Sequence, residues 1–163
     1  MSFSVQILVA PDHVPVRGGP CDETASPSDP FRTLLLPRHG LRPLRVEGVV
    51  VAAADTRDGR DAPFWHELDL ILTSDRRIAA AVRGRRPMGE GALRRCDAAF
   101  VAETADAVRA ALAAHDPTPL AIAEPSNPDA DLEARWEAYL DEALGMVDDY
   151  RTALARLFDI AAP

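Results

Sequence analysis

Apolar and polar residues alternate through the middle of the chain. Residues 64–73 (FWHELDLILT) carry leucine at every second position from residue 68, and residues 77–83 (RIAAAVR) continue the alternation. A period of two predicts strands with one buried face, and the three-residue connection at 74–76 predicts an antiparallel hairpin. In the expected register Leu72 pairs with Ile78, and Glu67 lies opposite Arg83 as a favourable charge pair.

Other apolar and β-branched runs predict further strands. These runs are residues 3–10, 33–36 and 44–54, with an edge strand expected at 120–123. Residues 11–31 hold five of the 14 prolines and predict a Pro/Gly-rich mobile segment, while residues 116–128 predict a Pro-rich connector.

Two apolar patterns have helical spacing. Residues 91–115 predict a helix whose buried stripe is Leu93, Cys96, Phe100, Ala107, Val108, Ala111 and Leu112. Residues 128–160 predict a longer helix, with Asn127 as its N-cap and Pro128 at its first position. Its apolar residues recur at heptad spacing and form the seam Trp136, Leu140, Ala143, Val147, Tyr150, Leu154 and Leu157.

The second helix is long for a chain of this size. At about 1.5 Å per residue it would span roughly 50 Å, whereas a compact domain of this length is only about 40 Å across. We therefore expect it to overhang, to bend near Gly145 or to pack against a neighbour. Together the elements predict one α+β domain over residues 1–163, an antiparallel sheet of four to five strands packed by two helices.

Charge is distributed unevenly along the 163 residues. The net charge is -8, yet residues 32–95 hold 13 arginines against 8 acids, and residues 96–163 hold 4 arginines against 14 acids. The pattern suggests that a basic sheet region and an acidic helical region face each other, within one chain or between chains. The overall negative sign argues against nucleic acid as a partner.

The amino-acid composition indicates the cellular compartment of the protein and limits the reactions that its side chains can support. All 18 basic residues are arginine, as a GC-rich genome favours, so no lysine is available for a Schiff base or a P-loop. The first ten residues lack the features of a signal peptide, and no apolar run has the length of a membrane span. With only Cys21 and Cys96 present, we expect a cytoplasmic protein with reduced thiols and no membrane association.

The turn at residues 84–91 (GRRPMGEG) resembles a phosphate-binding loop only in its glycine spacing. Glu90 stands where the lysine would be, Gly91 replaces the magnesium-binding hydroxyl, and Pro87 removes a backbone donor. A looser anion site near a helix start remains open, formed by Arg83, Arg85, Arg86, Arg94 and Arg95. The alternative is that these arginines pair with the acidic helices.

Candidate catalytic residues are few. His66, Glu67 and Asp69 follow one another closely, but a zinc-protease helix would need histidine at position 70, where leucine stands. Glu67 and Asp69 fall on one strand face, about 7 Å apart, and pairing with Arg83 explains them without catalysis. The single histidines and lone cysteines are too scattered for a zinc site, so we expect neither metal nor cofactor.

Three functions remain open. The favoured hypothesis is a non-catalytic interaction protein, an adaptor, accessory subunit or inhibitor-type partner that binds a protein or itself. Its predicted interface residues are Trp136, Leu140, Val147, Tyr150, Leu154 and Leu157. The alternatives are a small enzyme acting on an anionic substrate through His66, Glu67 and Asp69, and a nucleic-acid or anion binder that uses residues 76–95.

Overall fold

The protein has an α+β fold, as the sequence predicts. The computed structural model describes residues 30–57, 62–122 and 131–160. Five strands form one antiparallel sheet in the order of the sequence: β1 (Arg32–Arg38), β2 (Leu41–Asp55), β3 (Trp65–Thr73), β4 (Ile78–Pro87) and β5 (Leu93–Ala102). Two α-helices follow, α1 (Ala105–Ala113) and α2 (Leu132–Ile160). The predicted strand at 3–10, nearly all of the segment 11–31, and Cys21 lie outside the described residues.

The central hairpin has the predicted register. Leu72 pairs with Ile78, and Glu67 lies opposite Arg83. The Thr73 backbone N–H donates to the Arg77 carbonyl oxygen over 3.0 Å and closes the turn. The predictions for β1 and β2 are also confirmed, although both strands are longer than the runs that indicated them.

The prediction of one helix over residues 91–115 is wrong. Its first part is β5, which pairs with β4 along its whole length, and only Ala105–Ala113 is α-helical. Cys96 therefore lies on a strand rather than on a helix. The helix starts at Thr104, whose side-chain oxygen accepts a hydrogen bond from the Ala107 N–H over 3.2 Å. Backbone pairing with β4 outweighs the helical propensity of this alanine-rich stretch, because tertiary contacts override weak intrinsic preferences.

The C-terminal helix is confirmed, with a later start than expected. It begins at Leu132, and Asp131 accepts a hydrogen bond from the Ala134 N–H over 2.9 Å at its N-terminus. The predicted cap residues Asn127 and Pro128 lie outside the described residues. The helix runs through Gly145 as a single element of 29 residues, and at 1.5 Å per residue it is about 43 Å long.

The edge strand predicted at 120–123 is absent from its described residues, 120–122. Residues 118–120 form a short 3-10 turn, Thr118–Leu120. Leu120 and Ala121 are buried there against Met146 of α2. The turn thus packs beneath the long helix instead of extending the sheet.

The sheet is packed on both faces. On the face that we call the helix face, α1 and α2 cover a core of Ala52, Leu68, Leu70, Ala80, Val82, Val108, Leu112, Tyr150, Ala153, Leu157 and Phe158. On the opposite, inner face, Leu36 and Val46 pack on Ile71, Ala79 and Ala81. Because β1 is not a neighbour of β3 or β4, this contact requires the sheet to curl so that the β1–β2 hairpin folds over it. The His39 N–H then reaches the Asp97 carbonyl oxygen, 2.7 Å away on β5.

Candidate functional site

The three candidate catalytic residues do not converge. Side chains alternate along a strand, so His66 projects from the helix face, while Glu67 and Asp69 project from the inner face. His66 is only 1% exposed and lies 5.6 Å, between ring centroids, from Tyr150 of α2. Glu67 and Asp69 instead contact Arg83. The sheet therefore separates the histidine from both carboxylates.

The carboxylates belong to a charged row across the inner face. Asp55, Glu67, Arg83 and Asp97 are register partners on four successive strands. Arg83 donates from Nε to Glu67 Oε2 over 3.0 Å and from Nη1 to Asp69 Oδ2 over 2.7 Å. The predicted pairing of Glu67 with Arg83 is confirmed, and the same guanidinium also binds Asp69.

A tryptophan and a second arginine complete this charged surface. Trp65 Nε1 donates to Glu67 Oε1 over 3.0 Å, and the Arg57 guanidinium lies 4.7 Å above the Trp65 ring. Burial alone would raise the pKa of Glu67, but the hydrogen bonds from Trp65 and Arg83 outweigh it and lower the pKa. The shallow depression here, of about 260 Å³, is thus lined by an ionised carboxylate held by its neighbours, which is poorly suited to general acid catalysis.

The five candidate anion-binding arginines are divided between the two faces of the sheet. Arg83 and Arg85 share the inner face, where Arg85 forms an ion pair with Asp97. Arg86 projects from the helix face and pairs with Glu142 of α2. Arg94 and Arg95 are exposed on β5, and no acidic side chain among the described residues forms an ion pair with either.

The expected helix start beside these arginines is absent, because residues 93–102 form a strand. Arg85 lies opposite Arg95, and Arg86 opposite Arg94, in two like-charge cross-strand pairs. Such pairs destabilise a sheet, and Asp97 and Glu142 offset the repulsion. Anion binding by this group stays a prediction.

Arg86 also connects the sheet to α2. Its side chain is 12% exposed and Glu142 is 19% exposed. Arg86 Nη1 donates to the Leu120 carbonyl oxygen over 3.3 Å, and Glu142 Oε2 accepts from the Ile122 N–H over 3.0 Å. One basic sheet residue and one acidic helix residue therefore meet within the chain, as the charge pattern suggested, and they position α2.

The six predicted interface residues have different environments. Tyr150 and Leu157 are 2% and 0% exposed and belong to the helix-face core. Val147 and Leu154 are half-buried. Trp136 and Leu140, in the first half of the helix, are 56% and 51% exposed. The seam is therefore covered by the sheet at one end of α2 and uncovered at the other.

The uncovered end carries two large apolar residues that the heptad pattern omitted. Leu132 is 72% exposed and Leu144 is 64% exposed. With Trp136 and Leu140 they recur every fourth residue, which places them along one side of the helix over about 18 Å. We call Leu132, Trp136, Leu140 and Leu144 the α2 stripe. The i, i+4 spacing was visible in the sequence, but their exposure depended on where the sheet ends.

An aromatic pair and an acidic surrounding define the α2 stripe further. The rings of Trp136 and Tyr139 meet edge to face with centroids 5.7 Å apart. A groove of about 470 Å³ is lined by Leu132, Arg135, Trp136 and Tyr139 among the described residues. Residues 131–145 hold five acids against one arginine, so the apolar surface lies in a negative field.

Neither metal ligation nor thiol chemistry is favoured in the described part of the chain. Residues 30–57, 62–122 and 131–160 contain no group of three His, Cys, Asp or Glu side chains suited to a metal ion. Burial and the nearby Asp97 and Asp116 raise the pKa of the Cys96 thiol, which opposes formation of the reactive thiolate.

Comparisons with known proteins supply no further assignment. Protein-family models, curated proteins and solved structures yield no match to this chain. Among the described helices, none combines the length and apolar character that crossing a bilayer requires.

Proposed function

We propose that this chain is a protein–protein interaction module that binds its partner through the α2 stripe. The observation that carries the proposal is the exposure of four large apolar side chains on one continuous helix, beyond the point where the sheet covers it. Contiguous exposed apolar surface on a water-soluble domain is typical of an interaction site. The fold maintains this surface at one end of a helix whose other end is anchored in the core.

The composition of the stripe suits a binding site. Trp136 and the adjoining Tyr139 are of the residue types that dominate binding energy in interfaces. Their edge-to-face contact restrains both rings before binding, so little side-chain entropy is lost on docking. Leucines on either side would exclude water from the aromatic centre.

The surrounding charge selects the kind of partner. Glu133, Glu137 and Asp141 lie among the stripe residues. A partner with an apolar strip flanked by basic residues would be attracted to this surface, whereas an acidic one would be repelled. An amphipathic basic helix or a basic sheet face meets both requirements.

The alternative that the chain is a small enzyme has less support than the interaction module, because its candidate residues do not share one site. His66 is enclosed on the helix face, and Glu67 and Asp69 are held by Arg83 on the inner face. The anion-binding alternative rests on Arg94 and Arg95, since the other three arginines have carboxylate partners.

The test uses a fluorescein-labelled helical peptide of leucine and lysine, with leucine along one face. We expect its anisotropy to rise on titration with the protein, and we expect the peptide with glutamate in place of lysine to bind at least about tenfold more weakly. Replacing Trp136→Ser and Leu140→Ser together should weaken binding by a further factor of about ten, because it removes the centre of the apolar contact.

The matched control is Leu93→Ser, which replaces an exposed leucine on β5, 38% exposed and outside the α2 stripe. It should bind the peptide as the wild type does. Binding that persists undiminished in the Trp136→Ser, Leu140→Ser variant would show attraction by charge alone and would refute docking through the stripe.

A further inference from the structure

A second exposed apolar surface lies on the β1–β2 hairpin. Leu35 and Leu41 are 67% and 64% exposed. Exposed Arg42 follows Leu41 in the chain, and exposed Arg45 is the register partner of Leu35. We call Leu35, Leu41, Arg42 and Arg45 the hairpin patch.

The hairpin patch has the opposite charge to the α2 stripe. Residues 32–51 hold four arginines against one glutamate, and residues 131–145 hold five acids against one arginine. Each surface combines large exposed apolar side chains with a surplus of one sign. These are the features expected of two complementary halves of one interface.

Within one chain both surfaces are exposed, so neither one covers the other. Leu34 and Leu36 point into the inner-face core, so Leu35 between them points away from it, to the outside of the folded hairpin. The helix packs elsewhere, against Leu68, Leu70 and Val82 of the sheet. Leu35 and Leu41 remain 67% and 64% exposed, and Trp136 and Leu140 remain 56% and 51% exposed, so the hairpin patch and the α2 stripe do not cover each other.

We infer that the partner is a second copy of this chain, whose hairpin patch receives the α2 stripe of the first copy. This inference rests on the proposed function and names the partner for the same surface. Because the two contacting surfaces differ, the contact is heterologous, and a pair of copies keeps one free stripe and one free patch for further neighbours. Successive copies then add head to tail, into a ring or an open chain.

Helix-to-helix pairing of two α2 stripes is the alternative arrangement of two copies. It would place Glu133, Glu137 and Asp141 of each copy next to the same acids of the other. Like charges at close range cost free energy, whereas the hairpin patch offers arginines to the same acids. The charge layout thus favours the heterologous contact.

Sedimentation velocity of two single-surface variants tests this arrangement. The stripe variant carries Trp136→Ser and Leu140→Ser, and the patch variant carries Leu35→Thr and Arg45→Glu. All four positions are exposed, so we expect both variants to keep the circular dichroism spectrum and the thermal midpoint of the wild type. Wild-type protein should show a weight-average mass that rises with concentration beyond that of a dimer, and Leu93→Ser should match it.

Each variant alone should remain monomeric at concentrations about tenfold above those at which the wild type associates. A mixture of the two retains one intact stripe and one intact patch, so it should form a 1:1 complex and grow no further. A patch variant that still associates like the wild type would overturn the inference in favour of helix pairing.

The outcomes separate this inference from the proposed function. A wild-type protein that stays monomeric but binds the leucine–lysine peptide overturns only the second-copy assignment. A wild-type protein that neither associates nor binds the peptide overturns both.

Discussion

His66 lies in the core of the helix face, edge-on to Tyr150 and close to His115. The His115 and Tyr150 ring centroids are 5.7 Å apart, and Tyr150 OH donates to the Leu112 carbonyl oxygen over 3.1 Å. His66 Nδ1 has no hydrogen-bond partner among the described residues. Burial, reinforced by the neighbouring His115, lowers the pKa of His66 to about 4. Burial lowers the pKa of His115 as well. The core therefore tolerates both imidazoles in their neutral form.

This environment predicts a loss of stability in mild acid. A histidine in the unfolded chain has a pKa near 6.5, whereas the pKa of folded His66 is about 4. Between these two pH values the unfolded chain therefore binds a proton at this residue that the folded chain does not bind. The free energy of unfolding should fall as the pH drops through this window, and His66 alone accounts for up to about 3 kcal/mol. Urea unfolding between pH 7 and pH 5 measures the slope, before most carboxylates titrate.

The comparison variant is His66→Phe. It should flatten the slope and leave the contribution of His115, whose pKa burial also lowers. If the pH dependence of the free energy of unfolding were unchanged in His66→Phe, protonation of groups other than His66 would be the cause of the acid destabilisation.

At the scale of elements, sequence patterns worked where one physical effect dominated. The alternating leucines correctly predicted the β3–β4 hairpin and its Glu67–Arg83 pair, and the heptad repeat correctly predicted the long helix. Alanine-rich β5 was mistaken for helix because its strand identity comes from pairing with β4. The Arg86–Glu142 contact was equally hidden, since it depends on the turn at Thr118–Leu120 that brings α2 over the end of β4.

The same substitution should have very different effects on stability in the two halves of α2. Leu157→Ala removes a fully buried side chain from the helix-face core and should cost about 2–5 kcal/mol in the free energy of unfolding. Leu140→Ala, at a position 51% exposed, should change it by less than about 0.5 kcal/mol. Chemical denaturation of the monomeric patch variant and of its Leu157→Ala and Leu140→Ala derivatives measures both costs without association. A large effect at Leu140 in monomer would show that the stripe is covered by its own chain.

At the scale of the whole molecule, β2 joins the two packed faces. Gly48 pairs with Arg32 of β1 and with Thr73 of β3, at the point where the strand leaves the main sheet for the folded hairpin. A Cβ built on Gly48 would lie 2.6 Å from Ile71 Cγ2 and 2.8 Å from the Leu72 carbonyl oxygen. The close approach of β2 to β3 therefore depends on the missing side chain.

Gly48→Ala should destabilise the fold by about 1–3 kcal/mol, because backbone must move to admit the methyl group. Gly145→Ala is the matched control, since nothing lies within 4 Å of its added Cβ. It replaces glycine within a helix and should stabilise by about 0.5–1 kcal/mol. Thermal unfolding distinguishes the two, and equal effects would contradict the packing at Gly48.

The curl that brings His39 against Asp97 also governs how the sheet meets other polypeptides. The outermost strands, β1 and β5, approach each other, where most open sheets leave such strands apart. An extended peptide seeking to add itself alongside either strand would first have to break that closure. Strand addition, a common route to both peptide capture and fibril growth, is thereby hindered, which leaves side chains on the outer surfaces of the molecule for the partner binding that we propose.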